Sequence, residues 1–236
     1  MRRISLVLMF VLAGCVSTVE GPRPGQPAPT QPAASEIETP TAAEVQRFQS
    51  VVARVEPVAE RLCRQQAPNL NCDFRIVVDD RPNQPANAYQ SLDDNGRPVL
   101  AFNLAMIAEV RNRDELAFVM GHEAAHHIEG HLPRKQQNAA AGALLLGGLA
   151  AITGASSNVI DSAVDIGGAV GARTYSKDYE LEADALGTVI TRRAGYDPVR
   201  GAEFFTRIPD PGDRFLGTHP PNAQRIDTVR RVNAGL

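Results

Sequence analysis

The sequence predicts one α+β domain that is mostly helical and carries a small β-sheet. Apolar residues recur at helical spacing over most of the chain after residue 41, and strand-like runs are confined to residues 74–102. Of the 236 residues, 43% are hydrophobic, which is enough for one sizeable core. The net charge of −3 and the aromatic content of 5% offer no basic surface or stacking platform, so we expect no nucleic-acid binding.

The pattern of the first residues is typical of a targeting segment. Two arginines, Arg2 and Arg3, precede an apolar run that ends in Leu-Ala-Gly-Cys. This pattern resembles a bacterial lipoprotein signal peptide over residues 1–14, removed before a lipidated, palmitate-bearing Cys15. The alternatives are an ordinary signal peptide or a short membrane anchor. Val16, where an aspartate would favour inner-membrane retention, favours a lipid anchor in the outer membrane that faces the periplasm.

Residues 15–40 carry six prolines among small polar residues. Such a segment cannot bury a core and favours extended polyproline II conformations. We therefore expect residues 15–40 to form the lipidated tether and residues 41–236 to form the folded domain.

The elements of the domain follow in order. Thr41 and Glu44 fit a capping box, so a long first helix is expected to begin there. A strand is expected at 74–78, and Asp93-Asp94-Asn95-Gly96 is typical of the turn of a hairpin. The hairpin strands are expected at 86–92 and 97–102, and the later helices at 103–110, 114–131, 175–194, 199–207 and 221–232.

Residues 136–160 contain no charged side chain. The apolar part is close to the lower limit for a membrane span. A single crossing would separate the two halves of the metal site described below, and a return crossing would carry Asp161 and Asp165 into the membrane. We therefore expect a helical hairpin of small residues that packs on the domain, touches the membrane surface or guards the cleft.

Besides Cys15, the chain contains Cys63 and Cys72. An even pair in an exported chain predicts a disulfide that links the end of the first helix to the first strand. Two buried free thiols are the alternative.

The most informative motif is His122-Glu123-Ala124-Ala125-His126, an HExxH pattern within an expected helix. Positions i and i+4 project from one helix face, so His122 and His126 can bind the same metal ion. Glu123 lies beside them, where it can act on water as a general base. These residues are typical of a zinc metallopeptidase that needs one more protein ligand.

Three blocks of sequence resemble the HtpX-like and CaaX prenyl protease family of gluzincin metallopeptidases, in particular its periplasmic lipoproteins. They are residues 121–126, residues 176–187 with Glu180-Leu181-Glu182-Ala183-Asp184, and residues 218–226 with Thr218-His219-Pro220-Pro221. The resemblance extends over roughly Val45 to Val232 and implies a zincin-like fold with the sheet beside the HExxH helix. Lys177 departs from the arginine common in relatives.

The resemblance implies that Glu180 is the third zinc ligand and that one Zn²⁺ binds per chain. It implies that Asp184 orients a ligand imidazole, of which His122 is the expected one. Glu182 is a rival ligand, but it lies about 200° from Glu180 around the helix, so only one of them can face the metal.

Three further histidines lie outside this ligand set. If the HExxH helix continues, rotation places His127 about 100° and His131 about 140° from His126, which favours surface or structural roles. The resemblance implies that His219 approaches the zinc, either to assist catalysis or to mask the metal. A structural His-Pro turn is the alternative.

The expected function is zinc-dependent hydrolysis of peptide bonds by a membrane-tethered quality-control endopeptidase. The family resemblance implies that its substrates are unfolded or misassembled cell-envelope proteins. An extended substrate could pair with an edge strand, for which residues 97–102 are the candidate. The alternative is a chaperone or binding lipoprotein of the outer membrane with a latent metal site.

Overall fold

The computed structural model describes residues 39–212, 214 and 217–236. Within them the domain is mostly helical with one three-stranded sheet, which confirms the expected α+β class. The predicted signal peptide, the lipidation of Cys15 and the tether as far as residue 38 lie outside the described residues.

The three strands follow one another between the first two helices, and every later element is helical. In chain order they are α1 (Ala42–Gln66), β1 (Arg75–Asp79), β2 (Ala88–Leu92), β3 (Pro98–Asn103), α2 (Leu104–Glu109), α3 (Arg113–Ile128), α4 (His131–Ile152), α5 (Ser157–Thr174), α6 (Ser176–Arg193), α7 (Pro198–Gly201), a 3₁₀ helix (Ala202–Thr206) and α8 (Asn222–Ala234).

Helix α1 begins at the predicted capping box. The Thr41 hydroxyl accepts a hydrogen bond from the Glu44 backbone N–H, and the Glu44 carboxylate accepts one from the Thr41 backbone N–H. Its end is joined to the segment before β1 by a disulfide between Cys63 and Cys72, as predicted, with 5.6 Å between the two Cα atoms.

The sheet has the order β1-β3-β2, with β1 parallel and β2 antiparallel to β3. The hairpin between β2 and β3 was predicted, and Gly96 adopts the positive φ of 76° that its turn requires. The expectation that residues 97–102 form an edge strand was wrong. Because β1 pairs with β3 from the other side, the edge strand of the hairpin is β2.

Helix α3, which carries the HExxH motif, lies at the centre of the core. It packs against α1 and α6, and most of its side chains are buried. Its contact with α6 depends on two glycines: a Cβ on Gly121 would lie 2.9 Å from the Gly187 carbonyl oxygen, and one on Gly187 would lie 2.9 Å from the His122 nitrogen. The two helix backbones can therefore approach closely enough for side chains from both to share one site.

Helices α4 and α5 form an antiparallel hairpin, which confirms the helical interpretation of the uncharged segment. Gly142 and Gly167 face each other so closely that a Cβ on either would lie 2.1–2.2 Å from the carbonyl oxygen of the other. None of the helices in the described part of the chain has the length and apolar character that a membrane span requires.

Candidate metal centre

The two histidines of the HExxH motif converge on one point. His122 and His126 project from successive turns of α3, and their Nε2 atoms are 3.0 Å apart. Burial lowers the pKa of His126 to about 3, which keeps its imidazole neutral, as metal coordination requires.

Glu180 completes the group from α6. Its two carboxylate oxygens lie 3.5 Å from His122 Nε2 and 3.6 Å from His126 Nε2. Ligand atoms about 2.0–2.2 Å from a tetrahedral zinc ion are about 3.3–3.6 Å from one another. Both distances from Glu180 fall in this range and the two imidazole nitrogens are slightly closer, so the set suits a zinc ion. His122, His126 and Glu180 are the group of metal-ligating side chains found among the described residues.

Asp184 and Arg225 lie on the Nδ1 side of His122 and fix the orientation of its ring. Asp184 is fully buried, and its carboxylate lies 2.9 Å from His122 Nδ1, on the ring edge away from the ligand group. Arg225, from α8, donates two hydrogen bonds of 2.7 Å to Asp184, and its guanidinium lies over the Phe205 ring. Although burial acts in the other direction, hydrogen bonds with Asp184 and Glu180 raise the pKa of His122 to about 9.

Arg225 also lies 3.4 Å from Glu180, so it contacts a ligand carboxylate as well as the carboxylate of Asp184. Burial would raise the pKa of Glu180, but contacts with His122 and Arg225 hold it well below its ordinary value. Sequence reasoning assigned no role to Arg225. The available signal was its place in the third block of residues that resembles the family.

His131 reaches the opposite side of the site. Its Nδ1 is 2.8 Å from Nδ1 of His126, and its Nε2 is 3.0 Å from the Glu182 carboxylate, which also pairs with Arg134. The rotation argument failed for His131 because α3 ends at Ile128 and the chain turns at Gly130, where φ is 64°. Glu182, the rival ligand, therefore faces His131 and not the metal group.

His127 is buried and structural. Its Nε2 donates a hydrogen bond of 2.8 Å to the Asn71 carbonyl, near the disulfide. His219 is different, since 52% of its side chain is exposed and its Nε2 lies 3.8 Å from Glu180. The Thr218 hydroxyl is 3.0 Å from its Nδ1. His219 is thus at the rim of the site and near, but not within, the ligand group.

Glu123 and the ligands open into one cleft of about 690 Å³. Part of its wall is β2, whose Ala88, Tyr89 and Gln90 line the cleft beside Glu123. Burial raises the pKa of Glu123 to about 7, so this carboxyl can take and return a proton near neutral pH. Phe118, Phe204 and Phe205 make another part of the wall apolar.

Two histidines one helical turn apart, a glutamate beside the first and a carboxylate from a second helix are the arrangement of a metallopeptidase site. The comparison with protein families agrees. Residues 45–233 match the model of peptidase family M48, and the chain belongs to that family.

Several curated proteins are similar to this chain. A protein of Vibrio cholerae serotype O1 assigned as a beta-barrel assembly-enhancing protease is 31% identical over 154 residues, which cover 56% of this chain and 30% of that protein. The beta-barrel assembly-enhancing protease of Escherichia coli O157:H7 is 28% identical over 174 residues, or 64% of this chain and 33% of that protein. The chain thus matches about a third of the length of these relatives.

Proposed function

We propose that this protein is a zinc-dependent endopeptidase that hydrolyses unfolded or misassembled proteins of the cell envelope. The observation that carries the proposal is the triangle of ligand atoms from His122, His126 and Glu180, with Glu123 next to it in an open cleft. Zinc held by these side chains would supply Lewis-acid activation of water and of the scissile carbonyl.

The side chains around the metal group supply proton transfer and hold the ligands in position. Glu123 takes the proton of the attacking water and returns it to the leaving amine. Asp184 fixes the ring of His122 from its Nδ1 side, and Arg225 fixes Asp184. His219, at the rim, either assists the reaction or masks the metal, and its 3.8 Å distance from Glu180 is compatible with both.

An extended polypeptide can be held at this site by its backbone. Strand β2 is an edge of the sheet and lines the cleft, so its outer backbone groups face the position of a substrate. Main-chain pairing selects for an extended chain more than for particular side chains. An unfolded protein meets this requirement better than a folded one, which supports the proposed substrate class.

The sequence and the relatives support a proposed place of action in the cell envelope. The signal at residues 1–14 and lipidation of Cys15 would hold the domain, residues 41–236, at the periplasmic face of the outer membrane through the tether. The relatives' name, beta-barrel assembly-enhancing protease, supports substrates that take part in the assembly of beta-barrel proteins.

The Glu123→Gln variant tests the mechanism. We expect it to keep about one zinc per chain by elemental analysis and to lose cleavage of unfolded casein, because the ligands remain and the base is gone. Glu129→Gln, at the end of the same helix, is the control and should cleave normally. Undiminished cleavage by Glu123→Gln would refute the mechanism, and full physiological function of an inactive variant would favour the alternative of a binding lipoprotein.

A further inference from the structure

The hairpin of α4 and α5 exposes an unusual number of large apolar side chains. Leu145 is 71% exposed and Ile152 is 82% exposed, although the hairpin is otherwise closely packed through its glycines. We define the hairpin face as six exposed residues, Leu145, Leu149, Ile152, Val159, Ile166 and Val170. Contiguous apolar surface of this kind marks an interaction site.

The hairpin face is continuous across both helices. At about 100° per residue, its three members on α4 lie within about 60° of one another, and its three members on α5 within about 40°. The helices are antiparallel, since Asn138 contacts Gly171, Gly142 contacts Gly167 and Gly147 contacts Val164. Measured from the line along which the two helices touch, the α4 members and the α5 members of the hairpin face point toward the same side of the hairpin.

The acidic and basic side chains of α5 lie on different sides of the helix relative to the hairpin face. Asp161 and Asp165 are both exposed, and helical rotation places them roughly opposite the three α5 members of the hairpin face. Arg173 is also exposed, and it lies on the same side of α5 as those three members, at the base of the helix. The side of the hairpin that carries the hairpin face therefore has apolar side chains toward the tip, the basic Arg173 at the base of α5 and no acidic residue of α4 or α5.

We propose that the hairpin face lies on the surface of a phospholipid membrane, with its apolar side chains at the headgroup boundary and Arg173 at the level of the phosphates. This is the charge pattern of an interfacial helix, with acidic residues turned away from anionic lipid. A second copy of this chain fits the hairpin face less well than a membrane. In a symmetric contact between two identical faces, no acidic group would lie opposite Arg173.

The number of residues between Cys15 and the domain is compatible with a membrane as the partner of the hairpin face. The predicted tether has 24 residues, 15–38, before the described domain, and any polyproline II chain of 24 residues would reach about 70 Å at roughly 3.1 Å per residue. A lipid at Cys15 and the hairpin face could therefore reach the same membrane together. The contact inferred here is additional to the lipid and does not depend on the proposed peptidase activity.

Vesicle binding of the full chain carrying Cys15→Ser, which removes the lipid, tests the hairpin directly. The probe is vesicles of phosphatidylethanolamine with phosphatidylglycerol, with binding measured by flotation. We expect Leu145→Asn and Leu149→Asn each to lower the partition coefficient about fivefold, because each removes an apolar side chain from the contact. Arg173→Gln should lower it by a similar factor, and only when phosphatidylglycerol is present.

Leu144→Asn is the matched control. Leu144 is adjacent to Leu145 and 77% exposed, but it points about 100° away, so its replacement should change binding less than twofold. No binding by the parent chain, or equal losses for Leu144→Asn and Leu145→Asn, would overturn the proposal. So would a dimer in analytical ultracentrifugation that Leu145→Asn dissociates. Casein cleavage in solution should be unchanged in all these variants, which separates this test from that of the proposed function.

Discussion

Replacement of Gly187 by alanine should disturb the metal centre without changing any ligand side chain. The new Cβ would lie 2.9 Å from the backbone nitrogen of His122 and 3.0 Å from its Cα. Both atoms are backbone in the core helix α3, so neither can move aside as a flexible side chain would. Helix α6 must therefore shift by about 0.5 Å to restore ordinary contact distances.

The shift has two measurable consequences. Overpacking of this kind costs about 1–3 kcal/mol, so the free energy of unfolding in urea should fall by that amount. Glu180 lies on α6, and moving it from its 3.5 Å distance to His122 should lower both zinc affinity and cleavage by about tenfold. Zinc affinity is measured by competition with a chelator, and cleavage with unfolded casein.

A second glycine provides the control. A Cβ on Gly148, in α4, would meet nothing within 4 Å. Gly148→Ala should therefore raise the free energy of unfolding by about 0.5–1 kcal/mol through helix propensity and leave zinc affinity unchanged. If Gly187→Ala were as stable as the parent and bound zinc equally well, the packing of α3 on α6 would not set the ligand geometry.

Two other predictions concern the supports of the site and the fold. Asp184→Asn should lower zinc affinity about 10- to 100-fold in chelator competition, because it weakens the group that orients His122; an unchanged affinity would contradict the role proposed for Asp184. Replacing both Cys63 and Cys72 by alanine should lower the free energy of unfolding by ~2.6 kcal/mol, as the chain-entropy relation gives for their separation of 9 residues. A loss below about 1 kcal/mol in urea unfolding would show that the disulfide adds little.

Local patterns predicted most of the elements. The capping box located the start of α1, and the Asp-Asp-Asn-Gly turn located the hairpin, because both are contacts between residues close in sequence. The i,i+4 spacing placed His122 and His126 together for the same reason. Helical rotation indicated that only one of Glu180 and Glu182 can face the metal, the family resemblance implied Glu180, and the structure places Glu180 at the histidines.

Features that depend on distant packing were missed. Arg225 reaches Asp184 only because α8 packs against α6, which no local pattern indicates. The edge strand was assigned wrongly because the parallel pairing of β1 with β3 is a long-range event. His131 was misplaced because one glycine, Gly130, ends the continuity of a helix that the apolar spacing predicted to continue.

Zinc content per chain, measured by elemental analysis in three proteins, tests the central claim most directly. We expect about one zinc in the parent chain, a large loss in Glu180→Gln, and about one in Glu182→Gln, since Glu182 faces His131 and Arg134. A parent chain without zinc would contradict the metal centre. Zinc retained in Glu180→Gln but lost in Glu182→Gln would contradict the ligand set.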